Sequence, residues 1–103
     1  MFLGRVIGNV QATRKDDRLG GVKLLIVQPA PLEDKDTHLP VVAADRIGAG
    51  IGEDVIVAFG RAARLAMGDE NLPIEAAILA IVDGTEVRSD AKLKRGLGNE
   101  KER

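Results

Sequence analysis

Hydrophobic and polar positions along this chain alternate in short bursts separated by glycine and proline. Over residues 2–13, Val6, Gly8, Val10 and Ala12 share one parity, and Arg5, Asn9 and Gln11 take the other, with Ile7 as the exception. A period of two is that of a half-buried strand. Lys15 to Arg18 with Gly20-Gly21 form a polar turn, and Val22 to Gln28 then reads as a strand too apolar to be exposed on both faces. Pro29-Ala30-Pro31 ends that strand, because proline cannot donate to a ladder. Residues 32–38 form a charged loop, Leu39 to Ala44 a third strand, and Gly48-Ala49-Gly50-Ile51-Gly52 a glycine-dense turn. Asp54 to Phe59 is the fourth strand. Arg61 to Met67 makes about two helical turns, with Gly60 at the N-cap position and Gly68 at the left-handed position past the end. Pro73 opens the last long strand, Ile74 to Val82, and Asp83-Gly84 turns the chain toward a short strand around Glu86-Val87.

These elements predict an all-β fold: a small five-stranded OB-like β-barrel with one short helix and an extra hairpin, spanning residues 1–87. Residues 88–103 are a charged C-terminal tail, expected to be solvated and mobile. The 103 residues suit one domain and leave no room for a second core. With Phe2 and Phe59 as its only aromatics, the barrel has a thin core of Val, Ile, Leu and Ala. A thin core leaves a small margin of stability, which favours burial against further subunits.

Composition removes several function classes. The chain has no cysteine, so no disulfide, thiolate nucleophile or Cys-based metal site can form. The one histidine, His38, reads as an exposed loop residue, and the one serine, Ser89, lies in the tail. That supply excludes a zinc site with two or three His ligands and leaves a Ser-His-Asp centre without any flanking motif. No catalysis, metal or cofactor is expected. Charge is uneven as well. Residues 88–103 hold six Lys/Arg and three Asp/Glu, leaving nine basic and 13 acidic residues in the body, so the tail is +3 and the body −4. An acidic body with two aromatics is a poor partner for nucleic acid or an anionic membrane, although OB-like barrels often bind single strands. The longest strongly apolar run, Ala76 to Val82, has seven residues, against the roughly 20 needed to span a bilayer as a helix. A cytoplasmic protein is the expectation.

Three local patterns invite chemistry. The glycine turn has the spacing G-x-G-x-G and is followed by Glu53-Asp54-Val55-Ile56-Val57, acidic and strand-like. A dinucleotide fingerprint needs G-x-G-x-x-G and a helix N-terminus, so the turn reads as a place where backbones pass closely. Glu33-Asp34-Lys35-Asp36 lacks the alternation and terminal glutamate of a calcium loop and reads as solvated. Arg61 and Arg64 stand three apart on one helical face. They serve either a solvated face with intrachain partners such as Asp69 or Glu70, or an intersubunit ion pair, and the residues do not choose between the two.

Taken in order, the segments resemble the pentameric vertex proteins of bacterial microcompartment shells, the family that caps carboxysomes and metabolosomes. The resemblance is carried by Arg5-Val6-Ile7-Gly8-Asn9-Val10 with Thr13 and Lys15; by Gly21 to Gln28; by Val42-Ala43-Ala44-Asp45; by Gly48-Ala49-Gly50 with Glu53 and Val55-Ile56-Val57; by Gly60 with Ala62-Ala63-Arg64; and by Pro73 to Asp83. It covers Phe2 to Val87. Arg61 departs from the pattern, since the family usually has a small hydroxyl residue there, able to cap the helix. The resemblance implies a structural homopentamer that fills the corners of an icosahedral shell beside hexameric shell proteins. It implies that Gly48, Ala49 and Gly50 lie near the five-fold axis, where a large side chain would clash, with the Glu53 carboxylate satisfying amides beside them. It also implies that Gly60, Arg61, Ala62, Ala63 and Arg64 form a subunit contact, with Arg64 as its arginine. The competing reading is an OB-like single-stranded nucleic-acid-binding module.

Overall fold

The computed structural model describes residues 1–13, 15–32 and 38–85. Five strands, β1 (Phe2–Asn9), β2 (Lys23–Pro29), β3 (Val41–Asp45), β4 (Asp54–Phe59) and β5 (Ala76–Val82), close into a barrel in the order β1-β2-β3-β5-β4. One helix, α1 (Gly60–Ala66), joins β4 to β5, and a 3₁₀ turn covers Asp17–Leu19. All ladders are antiparallel except β3 with β5, which run parallel through Ala44 and Ala77. Register shifts between Val6 and Gly8 and between Ile56 and Val57 supply the local bends a small barrel needs. Among the described residues, no helix is long and apolar enough to cross a membrane.

Strand alternation divides the apolar residues between two layers. Inward-facing Val6, Leu25, Val27, Ala43, Val55, Val57, Ala76 and Ile78 fill the barrel. A fully buried aliphatic side chain of the Val or Leu type contributes about 1.5–3 kcal/mol. The opposite faces of β3, β4 and β5 present Ala44, Ala58 and Ala77, and the register sets these abreast, Ala77 pairing with both of the others. Three methyl groups in a row make a floor low enough for α1 to approach, and Ala63, Met67 and Leu72 pack onto it.

The element boundaries differ from the sequence-based expectations for local reasons. β1 stops at Asn9, after which one further bond, from the Val10 N–H to the Leu24 carbonyl, precedes the turn. Val22 belongs to the exit of the 3₁₀ turn, donating to the Leu19 carbonyl, so β2 starts at Lys23. That 3₁₀ turn was not anticipated; the Asp16 carboxylate accepts from the Arg18 N–H at 2.9 Å and initiates it. β2 ends at Pro29, as expected, with that proline as its last residue, opposite Gly4. The neighbouring ladder bond comes from the Ala30 N–H to the Leu3 carbonyl, so the donor missing at Pro29 is not needed there. Leu39 and Pro40 stay outside β3, which begins at Val41 and takes in Asp45. β5 begins at Ala76, and Ile74 packs instead against the outer layer. Phe59, not Gly60, is the helix N-cap, and no side chain caps that end; Gly60 is the first helical residue. Gly68 follows the Met67 C-cap with φ +86°, as expected. The hairpin at Glu86-Val87, the acidic segment 33–36 and the tail 88–103 lie outside the described residues.

Candidate functional site

The glycine turn is built on one buried carboxylate. Asp45 ends β3 opposite Lys23, and its side chain has no exposure. Its Oδ1 accepts from the Ile47 N–H at 3.1 Å, and its Oδ2 accepts from the Gly48 N–H at 3.2 Å and the Ala49 N–H at 2.9 Å. Buried carboxylates are costly unless such donors fill their lone pairs. Lys23 Nζ donates to the Ala49 carbonyl at 2.9 Å and stands 3.9 Å from the Asp45 carboxylate. Curled in this way, the chain drives the Ala49 methyl inward, where it is fully buried in the barrel core.

Past Ala49 the chain makes a second turn. The Glu53 N–H donates to the Gly50 carbonyl at 3.1 Å, and Gly52 has φ +95°, the left-handed value a type II turn requires at its third residue. The Glu53 carboxylate accepts from the Gly50 N–H at 2.7 Å, so the expected amide partner of Glu53 is present. Bonds from the Gly52 N–H to the Val6 carbonyl and from the Val6 N–H to the Glu53 carbonyl fasten the turn to β1. Gly48 and Ile51 are left exposed, as is the Glu53 side chain.

The Ala49 side chain plugs its own barrel and is not presented on the surface of the turn. Gly48 and Gly50 differ from it: a Cβ at Gly48 would meet nothing within 4 Å, and one at Gly50 only the Glu53 Oε1 at 3.7 Å.

The helix segment divides in the same way. Ala63 is fully buried against the outer layer, so it supports the helix rather than facing outward. Arg61 and Ala62 are exposed. Arg61 pairs with Glu70 at 3.4 Å, one of the intrachain carboxylates anticipated for it. Arg64 lies 4.0 Å from Glu75, a partner not anticipated, and its Nη1 donates to the Ile74 carbonyl at 3.5 Å. Gly60 donates its N–H to the Glu75 carbonyl at 2.8 Å, tying the helix start to the approach of β5.

Turn and helix are coupled through adjacent residues. While Asp45 holds the turn, Arg46 donates to the Met67 carbonyl at the end of α1. Sequence reasoning gave Asp45, Lys23 and Arg46 no role. An Asp followed three residues later by Gly is the available signal for Asp45, since such a side chain bonds the backbone just ahead of it. His38 is exposed, and its carbonyl accepts from the buried Gln28 side chain at 2.6 Å. Among the described residues, no three His, Cys, Asp or Glu side chains come together as metal ligands would.

A match to the family described as ethanolamine utilisation protein EutN/carboxysome covers residues 1–83. The chain is 46% identical over 89 residues to the bacterial microcompartment shell vertex protein GrpN of Rhodospirillum rubrum, covering 84% of this chain and 97% of GrpN. It is 42% identical over 88 residues to the carboxysome shell vertex protein CcmL of Nostoc, covering 84% of this chain and 87% of CcmL. The solved structure of the pentameric GrpN shell protein from R. rubrum superposes with a TM-score of 0.70 at 38% identity, over 85% of this chain and all of that one. These relatives are structural shell components rather than enzymes, and they lend the single-stranded nucleic-acid reading no support. Barrel, turn and helix thus fall within one continuous match, and the chain belongs to the EutN/CcmL family of microcompartment shell vertex proteins.

Proposed function

We propose that this chain is the pentamer-forming vertex subunit of a bacterial microcompartment shell. One observation carries the reading: 46% identity to a shell vertex protein along nearly that protein's whole length, on a barrel shared with its pentameric structure. A head-to-tail contact that closes after five copies makes a ring, and a ring of tapered subunits supplies curvature that flat hexagonal sheets lack. The ring sits in the cytoplasm at the shell's corners, beside hexameric shell proteins. Its role is structural, and it needs no cofactor.

Within the ring, Gly48, Gly50 and Glu53 lie near the five-fold axis. The exposed surface of Gly60, Arg61, Ala62 and Arg64 faces the neighbouring subunit. Ala49 and Ala63, buried in their own subunit, set the height of those surfaces from beneath. Gly50 supports this placement: within the subunit neither a positive φ nor a close neighbour requires glycine there, whereas close approach of five backbones does; Gly48 has φ +89° and needs glycine for its own backbone.

Native mass spectrometry tests the assembly and should give five times the 11.0 kDa chain. A stable monomer overturns the reading. Gly50→Glu tests the axis, since its Cβ has ordinary space within the subunit. Five added carboxylates beside the five of Glu53 repel around one axis, so the ring should dissociate at low salt, and added salt should partly restore it. If the Gly50→Glu ring matches the parent at all salt concentrations, the turn does not line the axis.

A further inference from the structure

We infer that Asp45, assisted by Lys23, is the positioning residue for ring closure, setting the shape of the turn that five subunits bring together. The inference rests on the vertex reading above and names the group that readies the turn for assembly.

Two side chains hold residues 47–49. Three consecutive backbone amides, those of Ile47, Gly48 and Ala49, all converge on the Asp45 carboxylate. Beside that carboxylate, Lys23 Nζ donates to the Ala49 carbonyl. The Ala49 residue is thereby gripped at its N–H, its carbonyl and its buried methyl. Gly48 and Gly50, which flank it, have no side chain to contribute: Gly48 takes its shape from this grip, and Gly50 is held between it and Glu53. A backbone that must meet four symmetry copies cannot wander by an ångström without spoiling all five contacts. Fixing it before assembly removes an ordering cost from the association step. A buried carboxylate is also a demanding way to hold a turn. It is an acceptor only, and its two oxygens serve three donors here. Asparagine in its place keeps one acceptor oxygen and turns an NH₂ group toward N–H donors, so part of the grip must be lost. Lys23 leaves half its side chain exposed, so its clamp is the weaker element.

A purely architectural role for Asp45 predicts something different. Barrel stability and ring stability would then fall together, because Ala49 belongs to the barrel core. Positioning predicts a split: the turn loosens, the ring weakens and the barrel stays intact.

The test compares the parent with Asp45→Asn and Lys23→Met. Amide hydrogen exchange is followed at Ile47, Gly48 and Ala49, with Leu25 and Val27 of β2 as internal controls, and native mass spectrometry reads the pentamer fraction across a dilution series. For Asp45→Asn, exchange at the three turn amides should rise at least tenfold with β2 unchanged, and the concentration for half-assembly should rise at least tenfold. Lys23→Met should shift both in the same direction by a smaller factor, and it decides the question if Asp45→Asn fails to fold. Freed turn amides in a ring as stable as the parent's overturn the inference, as does parallel loosening of β2. A parent protein that is itself monomeric removes the vertex reading and this inference with it, whereas a pentameric parent with equally pentameric variants removes this inference alone.

Discussion

The carbonyl oxygen of Gln28 lies 2.7 Å from the point where a Cβ would stand on Gly4. The two residues belong to the β1–β2 ladder, and the same point is 2.7 Å from Val27 Cγ1 and 3.1 Å from Phe2 Cε1. Because one of these neighbours is backbone, no side-chain rotation relieves the clash. Gly4→Ala should therefore destabilise the subunit by about 1–3 kcal/mol, the usual range for overpacking a tight site. Denaturant unfolding with an unchanged m-value checks this, and a variant as stable as the parent would show that β1 and β2 are further apart than described.

Gly68 and Arg46 make a second such pair. Gly68 adopts φ +86° where α1 ends, and a Cβ there would lie 2.7 Å from Arg46 Nη1. Left-handed backbone costs a residue with a Cβ about 1–2 kcal/mol. The displaced guanidinium can swing away, but it then gives up the Met67 carbonyl. With the net worth of that hydrogen bond, about 0.5–1.5 kcal/mol, Gly68→Ala should cost about 1.5–3.5 kcal/mol. Combined with Arg46→Ala it should cost less than the sum of the two, because both changes remove one bond. A double-mutant cycle by thermal or denaturant unfolding measures this, and strict additivity would mean that the two residues act separately.

Ala49→Trp should break the subunit and not only the ring. The alanine is wholly enclosed among the barrel's aliphatic side chains, and an indole there must push strands apart. The loss should be about 3 kcal/mol or more, at the upper end for overpacking, with the β signal in circular dichroism weakened at ordinary temperature. A folded, monomeric Ala49→Trp variant would mean that the side chain can turn outward. Gly50→Glu is the contrasting case, expected to keep the barrel while loosening the assembly.

The Asp16 carboxyl is held down to about 2, first by its side-chain bond with Arg18 and then by the Arg18 backbone N–H. Its ordinary value is about 3.9 in an unfolded chain. A depressed carboxylate contributes stability that is present above the unfolded value and lost as pH falls through the folded one. The 3₁₀ turn should therefore stay formed down to about pH 4 and open between there and about pH 2. Carbon NMR titration of Asp16 should find the low midpoint, and Asp16→Asn should abolish that acid-dependent step. A midpoint near 4 would show that the pairing with Arg18 does not persist in solution.

Much of this protein can be read without coordinates because its strands are amphipathic and its turns are marked by glycine and proline. The bond between Glu53 and the Gly50 amide is an expectation of the family resemblance, whereas apolar segments bounded by glycine and proline locate β1 to β5 to within a few residues, and Gly68 marks the end of α1. Local signals suffice there, since each depends on neighbours within one turn of chain. They fail where a side chain's surroundings come from distant segments. Ala49 stands between two glycines in a turn, a pattern that says exposed, yet a carboxylate at Asp45 and an ammonium from β2 curl it into the core. Gln28 is polar but buried, because the His38 carbonyl closes over it. Arg61 and Arg64 read alike on one helical face, and only the fold brings Glu70 to one and Glu75 to the other. Periodicity reports which way a strand faces, but whether a turn points in or out depends on which distant charge holds it, and barrel closure decides that.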